Sequence, residues 1–314
     1  MPHDRRFRFG VHTGGQQAAT PDAWAALARR AEELDYDSLF LPDHFGDQLA
    51  PVPAMMAAAA ATTDLKVGAL VFGVDYRHPV VLAREIATID ALSGGRVEVG
   101  LGAGWLTSDY DGAGITMDPP GVRIERMAEA LAVCRGLWGD EPLTFDGRYY
   151  TIKGLDGRPK PVQRPHPPVL IGGGGRRVLS LAAREAEIVG INPNLRSGAV
   201  GSDTIAEIVA ERVDEKVAWV RHAAGDRLAD LELNLLVQVA MVVDDRQSLI
   251  ESTAPAFGLT PQQVLDSPYV WVGTVEQISG EVEGWRDRWG ISYWIVHADV
   301  MEPVAPVVAR LAGH

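Results

Sequence analysis

Eight short β-rich runs alternate with helical patterns along this chain, at residues 7–12, 38–42, 65–72, 96–101, 168–171, 188–192, 233–242 and 292–297. Strands that alternate with helices imply parallel βα units, because parallel neighbours need a crossover long enough to hold a helix. Eight such units imply a closed (β/α)8 TIM barrel. A doubly wound open sheet is the rival. It calls for Gly-x-Gly-x-x-Gly after the first strand, and here that strand runs into His12-Thr13-Gly14-Gly15. A chain of 314 residues suits one barrel domain spanning 1–314.

The intervening helices carry legible ends. Thr20-Pro21-Asp22 supplies an N-cap, a proline at the first helical position and an acidic first turn. Trp24, Leu27, Ala28, Ala31 and Leu34 then share one face. Pro79 opens a second helix with Leu82, Ile86 and Ile89 facing inward, and further helices are expected over 122–138, 204–222, 274–289 and 303–311. Spacing is uneven. Residues 105–167 separate the fourth and fifth strands, are rich in Gly, Pro and Asp, and hold one helix and a hairpin over 144–153. Such a segment reads as an insertion over a barrel mouth, a lid or substrate wall. Residues 254–272 have no evident barrel role.

Composition excludes several classes of function. A net charge of −13 repels phosphate backbones, so no nucleic acid partner is expected. The single cysteine, Cys134, allows neither a disulfide framework nor a thiolate metal site within one chain. It falls on a helical stripe with Ile124, Met127, Leu131 and Trp138, where it serves as a small buried hydrophobe. The histidines show no i, i+4 pair with a glutamate, so no metal is expected. No Gly-x-Ser-x-Gly elbow is present. The start of the chain lacks the regions of a secretory signal, and the longest apolar run, 55–61, is too short to span a bilayer. A cytoplasmic protein with no membrane partner is the expectation.

Reactive groups of a barrel lie just past the C-terminal ends of its strands. After the second strand stands Asp43-His44, where an imidazole can point into the mouth and exchange protons near neutral pH. Asp43 reads as an orienting group. His12 ends the first strand, and either faces the mouth or is a satisfied strand-end histidine. Arg77 after the third strand either binds an anion or forms a structural ion pair, and His78 before Pro79 reads as structural. The fourth strand ends in Gly100-Leu101-Gly102-Ala103-Gly104-Trp105, whose bare backbone could support a flat ring. The fifth gives Gly172, Gly173, Gly174 and Gly175, then Arg176 and Arg177 at a helix start. Free amides aligned with a helix dipole, followed by cations in an acidic protein, point to phosphate binding. No Lys-Ser/Thr follows, so this is not a nucleotide P-loop.

Taken together, Asp43-His44, Arg77-His78-Pro79, the run from Asp90 to Trp105, Phe145 to Tyr150 and Pro167 to Arg176 resemble the luciferase-like monooxygenase superfamily. Within it the chain most resembles the coenzyme F420-dependent oxidoreductases. The resemblance covers roughly residues 7–192, and the last third matches only in general pattern. It implies a deazaflavin across the barrel mouth, with its phosphate on Gly172 to Gly175 and Arg176. It also implies a non-prolyl cis peptide at Leu70–Val71 behind the ring, and Asp43, Ala103 and Gly104 near the cofactor. His44 is the implied catalytic residue, with His12 and Trp105 in the substrate pocket. Two positions depart from the sugar-phosphate and alcohol dehydrogenases of that branch. Gln48 stands where they carry a tryptophan, and Trp105 where they carry a glutamate. A reductase or monooxygenase with an apolar substrate wall is therefore the expectation. The alternatives are an FMN-dependent (FMNH2/O2) monooxygenase and a non-catalytic flavin-binding relative. The substrate is a small molecule, and the resemblance implies a homodimer.

Overall fold

The computed structural model describes residues 5–314. Its strands are β1 (Arg8–His12), β2 (Ser38–Leu41), β3 (Lys66–Ala69), β4 (Phe72–Gly73), β5 (Val97–Gly102), β6 (Leu143–Asp146), β7 (Thr151–Leu155), β8 (Val169–Gly173), β9 (Ile188–Ile191), β10 (Glu232–Leu236), β11 (Val239–Val242), β12 (Val270–Gly273) and β13 (Ile291–His297). Nine of them bond in the order β3-β2-β1-β13-β10-β9-β8-β5-β4, and β3 also pairs with β5. That last pairing closes a parallel barrel of eight positions, because β3 and β4 are the halves of one strand interrupted at Leu70–Val71. Both halves run along β5, Val67 beside Val97 and Phe72 beside Leu101. β2, β5 and β9 are buried at every residue, as expected of strands covered on both faces.

By contact density the chain divides into two compact units. One holds the described residues up to His12, Arg30–Ser38 and Gly172–His314; the other holds Thr13–Arg29 and Leu39–Ile171.

In the second unit, helix α1 (Pro21–Glu33) begins where Thr20 Oγ1 accepts from Ala23 N at 3.3 Å, and the Trp24 indole donates to the Ala54 carbonyl in α2 (Pro51–Ala61) at 2.9 Å. Helix α3 (Pro79–Ser93) is capped by the His78 side chain, which accepts from Val80 N, so His78 is structural as expected. Two helices follow β5: α4 (Thr107–Ala113) and α5 (Pro120–Trp138). Trp138 Nε1 donates to Ala83 O at 3.0 Å, tying α5 to α3. Cys134 is fully buried in the same seam, which pushes its thiol up to about 12. β6 and β7 form the expected antiparallel hairpin.

In the first unit, β1 pairs with β13 and β10 lies between β13 and β9. Helices α6 (Arg176–Glu185), α7 (Ser202–Ile205), α8 (Ala210–Ala224), α9 (Arg246–Thr253), α10 (Pro261–Leu265), α11 (Val275–Trp289) and α12 (Met301–Leu311) complete it. Two sequence expectations need correction here. The run 233–242 is not one strand: β10 stops at Leu236, Gln238 N bonds to Tyr269 O, and β11 pairs with β12 in a separate two-stranded sheet. Val239 and Met241 are exposed on it, so the apolar alternation that mimics a longer strand does not reach a core. Residues 254–272 supply most of β12 and, in Ala254, Val264 and Val272, three members of a small buried cluster completed by Ile250 of α9. The helix expected over 204–222 is two helices, α7 and α8.

Among the described residues no helix is long and apolar enough to cross a membrane. None of their His, Cys, Asp and Glu side chains gather in a group of three that could hold a metal.

Candidate active site

The side chains expected after β2, β3 and β5 come together in the second unit. Arg77 clasps Asp43 with both guanidinium nitrogens, Nη1 to Oδ2 at 2.6 Å and Nη2 to Oδ1 at 2.9 Å. Gly73 N donates to the same Oδ2 at 2.9 Å. The Asp43 side chain is only 4% exposed, so the pair is a structural clamp between the ends of β2 and β4. Of the two readings open for Arg77 from sequence, the ion pair is the one observed.

His44 follows the clamp and is treated differently. Its Nδ1 lies 2.6 Å from Asp109 Oδ2, and its side chain keeps 30% exposure against 6% for Asp109. The Trp105 ring meets the imidazole edge-on, with centroids 5.5 Å apart. Asp109 sits in the first turn of α4, where Phe45 N donates to its Oδ1 and the Tyr76 hydroxyl to its Oδ2, both at 3.3 Å. Burial, helped by the nearby Tyr110, Asp109 and Asp43, pushes the Tyr76 phenol up, so it stays a donor. Sequence reading missed Asp109. It is 65 positions from His44 and lies among the polar residues of a short helix.

The loop after β5 is fixed from behind. Arg123 donates to the carbonyls of Ala103, at 3.0 Å, and Gly104. Gly104 has φ +73°, and a Cβ there would overlap the Tyr110 hydroxyl. That hydroxyl donates to Asp75 Oδ2 at 2.8 Å, and Arg126 bridges Asp75 and Asp118. The glycines of β5 have a packing role: a Cβ on Gly100 or Gly102 would meet Ala69 O or the Val71 side chain. Leu70–Val71 is a cis peptide, as the resemblance implies, and Leu70 N bonds to Leu41 O at 2.8 Å.

The remaining site candidates belong to the first unit. His12 ends β1 in register with His297, and their rings meet edge-on at 5.4 Å. Burial lowers the pKa of His297. Gly172 and Gly173 end β8, and Gly175 precedes α6, whose N-terminus carries no side-chain cap. Gly174 must stay bare, because a Cβ would strike the Pro193 backbone. Arg176 is exposed at the helix start.

The family model of luciferase-like monooxygenases matches residues 6–257. The chain belongs to the luciferase-like monooxygenase family. Among curated members, an F420-dependent glucose-6-phosphate dehydrogenase from Beutenbergia cavernae is 31% identical over 77% of this chain and 70% of its own length. An FMNH2-dependent dimethylsulfone monooxygenase from Pseudomonas putida is 32% identical over 45% of this chain and 39% of its own. The first curated relatives are matched over only 60% of their length. Among solved structures, the coenzyme F420-dependent tetrahydromethanopterin reductase of Methanopyrus kandleri superposes with a TM-score of 0.77 at 17% identity, over 98% of this chain and 99% of that one. This likeness supports the barrel fold.

Proposed function

We propose that the protein is an F420-dependent oxidoreductase that moves a hydride between coenzyme F420 and a small organic substrate. The observation that carries the reading is His44, held by a buried carboxylate through one ring nitrogen and still partly exposed, in a chain whose relatives include F420-dependent dehydrogenases. The chain also fits the group. An uncapped helix start behind a bare glycine turn suits a phosphate.

In this reading the amides of Gly172, Gly173, Gly174 and Gly175 and the Arg176 guanidinium bind the phosphate. Leu70, Val71, Ala103 and Gly104 contact the ring, and Asp43 holds that surface in place. When bound, F420 supplies or accepts the hydride. His44 moves the accompanying proton. Trp105 and His12 contact the substrate, and the 105–167 segment is an insertion that walls its pocket. Trp105 and Gln48 set the chain apart from the sugar-phosphate pattern, so a reductive reaction on a less polar substrate is favoured. The protein is read as a cytoplasmic homodimer. A second reading, FMNH2-dependent monooxygenation, is favoured by the Pseudomonas putida relative and uses the same phosphate turn.

His44→Ala tests the role of the imidazole. The expected result is a 10²–10⁴-fold loss of turnover with F420 affinity little changed, on the order of a lost acid–base group. Unchanged turnover would remove His44 from the chemistry.

A further inference from the structure

We propose that Asp109 is the positioning residue of His44: it fixes the imidazole as the Nδ1–H tautomer and makes Nε2 the nitrogen that exchanges a proton with substrate. The inference rests on the reading of His44 as the proton-transfer residue and adds which nitrogen works and what selects it.

Three groups converge on the Asp109 carboxylate: His44 Nδ1 at 2.6 Å, the Tyr76 hydroxyl at 3.3 Å and Phe45 N at 3.3 Å. A backbone N–H can only donate, and Tyr76 offers its proton to the same oxygen that faces His44. The carboxylate form, the ordinary state of an aspartate near neutral pH, accepts all three. His44 must therefore donate from Nδ1, which leaves the lone pair of the neutral ring on Nε2. Asp109 is buried while His44 remains partly open, so the carboxylate orients the ring from behind without reaching substrate itself. Trp105, edge-on to the same ring, limits its rotation. The arrangement also supplies an acidic partner for His44 in a chain with Trp105 directly after the β5 glycines.

The test reads the tautomer directly. Protein labelled with ¹⁵N-histidine is examined by two-bond ¹H–¹⁵N correlation without cofactor, and the His44 signals are assigned by their loss in His44→Gln. The expected wild-type spectrum shows a neutral His44 ring with Nδ1 protonated and Nε2 bare. In Asp109→Asn the side-chain amide can donate to Nδ1, so the proton should move to Nε2. Turnover should fall by about 10–100-fold at unchanged F420 affinity. Asp109→Glu should restore the tautomer and part of the turnover. Tyr76→Phe, a milder change, should keep the Nδ1–H form. An Nε2–H ring in the wild type, or the wild-type tautomer in Asp109→Asn, overturns the proposal. Because the spectrum needs neither cofactor nor substrate, it decides this point whatever becomes of the F420 reading.

Discussion

Arg77 and Asp43 form a two-pronged ion pair, 2.6 and 2.9 Å, with the carboxylate almost wholly enclosed. The pair joins the loop that presents His44 to the end of β4. Removing one partner leaves the other charge buried and unmatched. Arg77→Met should therefore cost about 3 kcal/mol in urea unfolding. Arg77→Lys should recover only part of that, because a point charge cannot serve both oxygens. Wild-type stability in Arg77→Met would show that the clamp is not needed.

A second prediction concerns the loop after β5. Gly104→Ala places a side chain at φ +73° and against the Tyr110 hydroxyl. A loss of about 1–3 kcal/mol is expected. In a Tyr110→Phe background the closest contact is gone although the ring edge remains near, so the same substitution should cost less there. Equal costs in the two backgrounds would mean that Tyr110 does not constrain Gly104.

Cys134 provides a pH test. Burial moves its thiol from the usual 9.0 up to about 12. The folded protein thus keeps a proton that the unfolded chain loses, so this group costs no stability below about pH 9 and weakens the fold as pH rises toward 12. At about pH 8 a thiol reagent such as DTNB should react only after denaturant is added. Rapid labelling of the native protein would contradict the packing of α5 against α3.

The barrel was legible because its strands are largely buried and read as short apolar-rich runs that alternate with helical patterns. His44 was legible for a related reason, since its place at a strand end is set by local sequence. The 233–242 run misled because alternation shows a strand's face and not its partner, and the chain leaves β13 for β12 after Leu236. Asp109 and the Arg77–Asp43 clamp escaped notice or stayed undecided, because both are contacts across loops, 65 and 34 positions apart. Gly100 and Gly102 looked like a bare platform, yet they make room for Ala69 and Val71. That requirement comes from a neighbouring strand.

Parallel titration of the purified protein with F420 and with FMN, followed by fluorescence quenching, tests the choice of cofactor most directly. Micromolar or tighter binding of F420 (about −8 kcal/mol) with much weaker binding of FMN is the predicted result. The reverse preference, or no binding of either by protein shown to be folded, would contradict it.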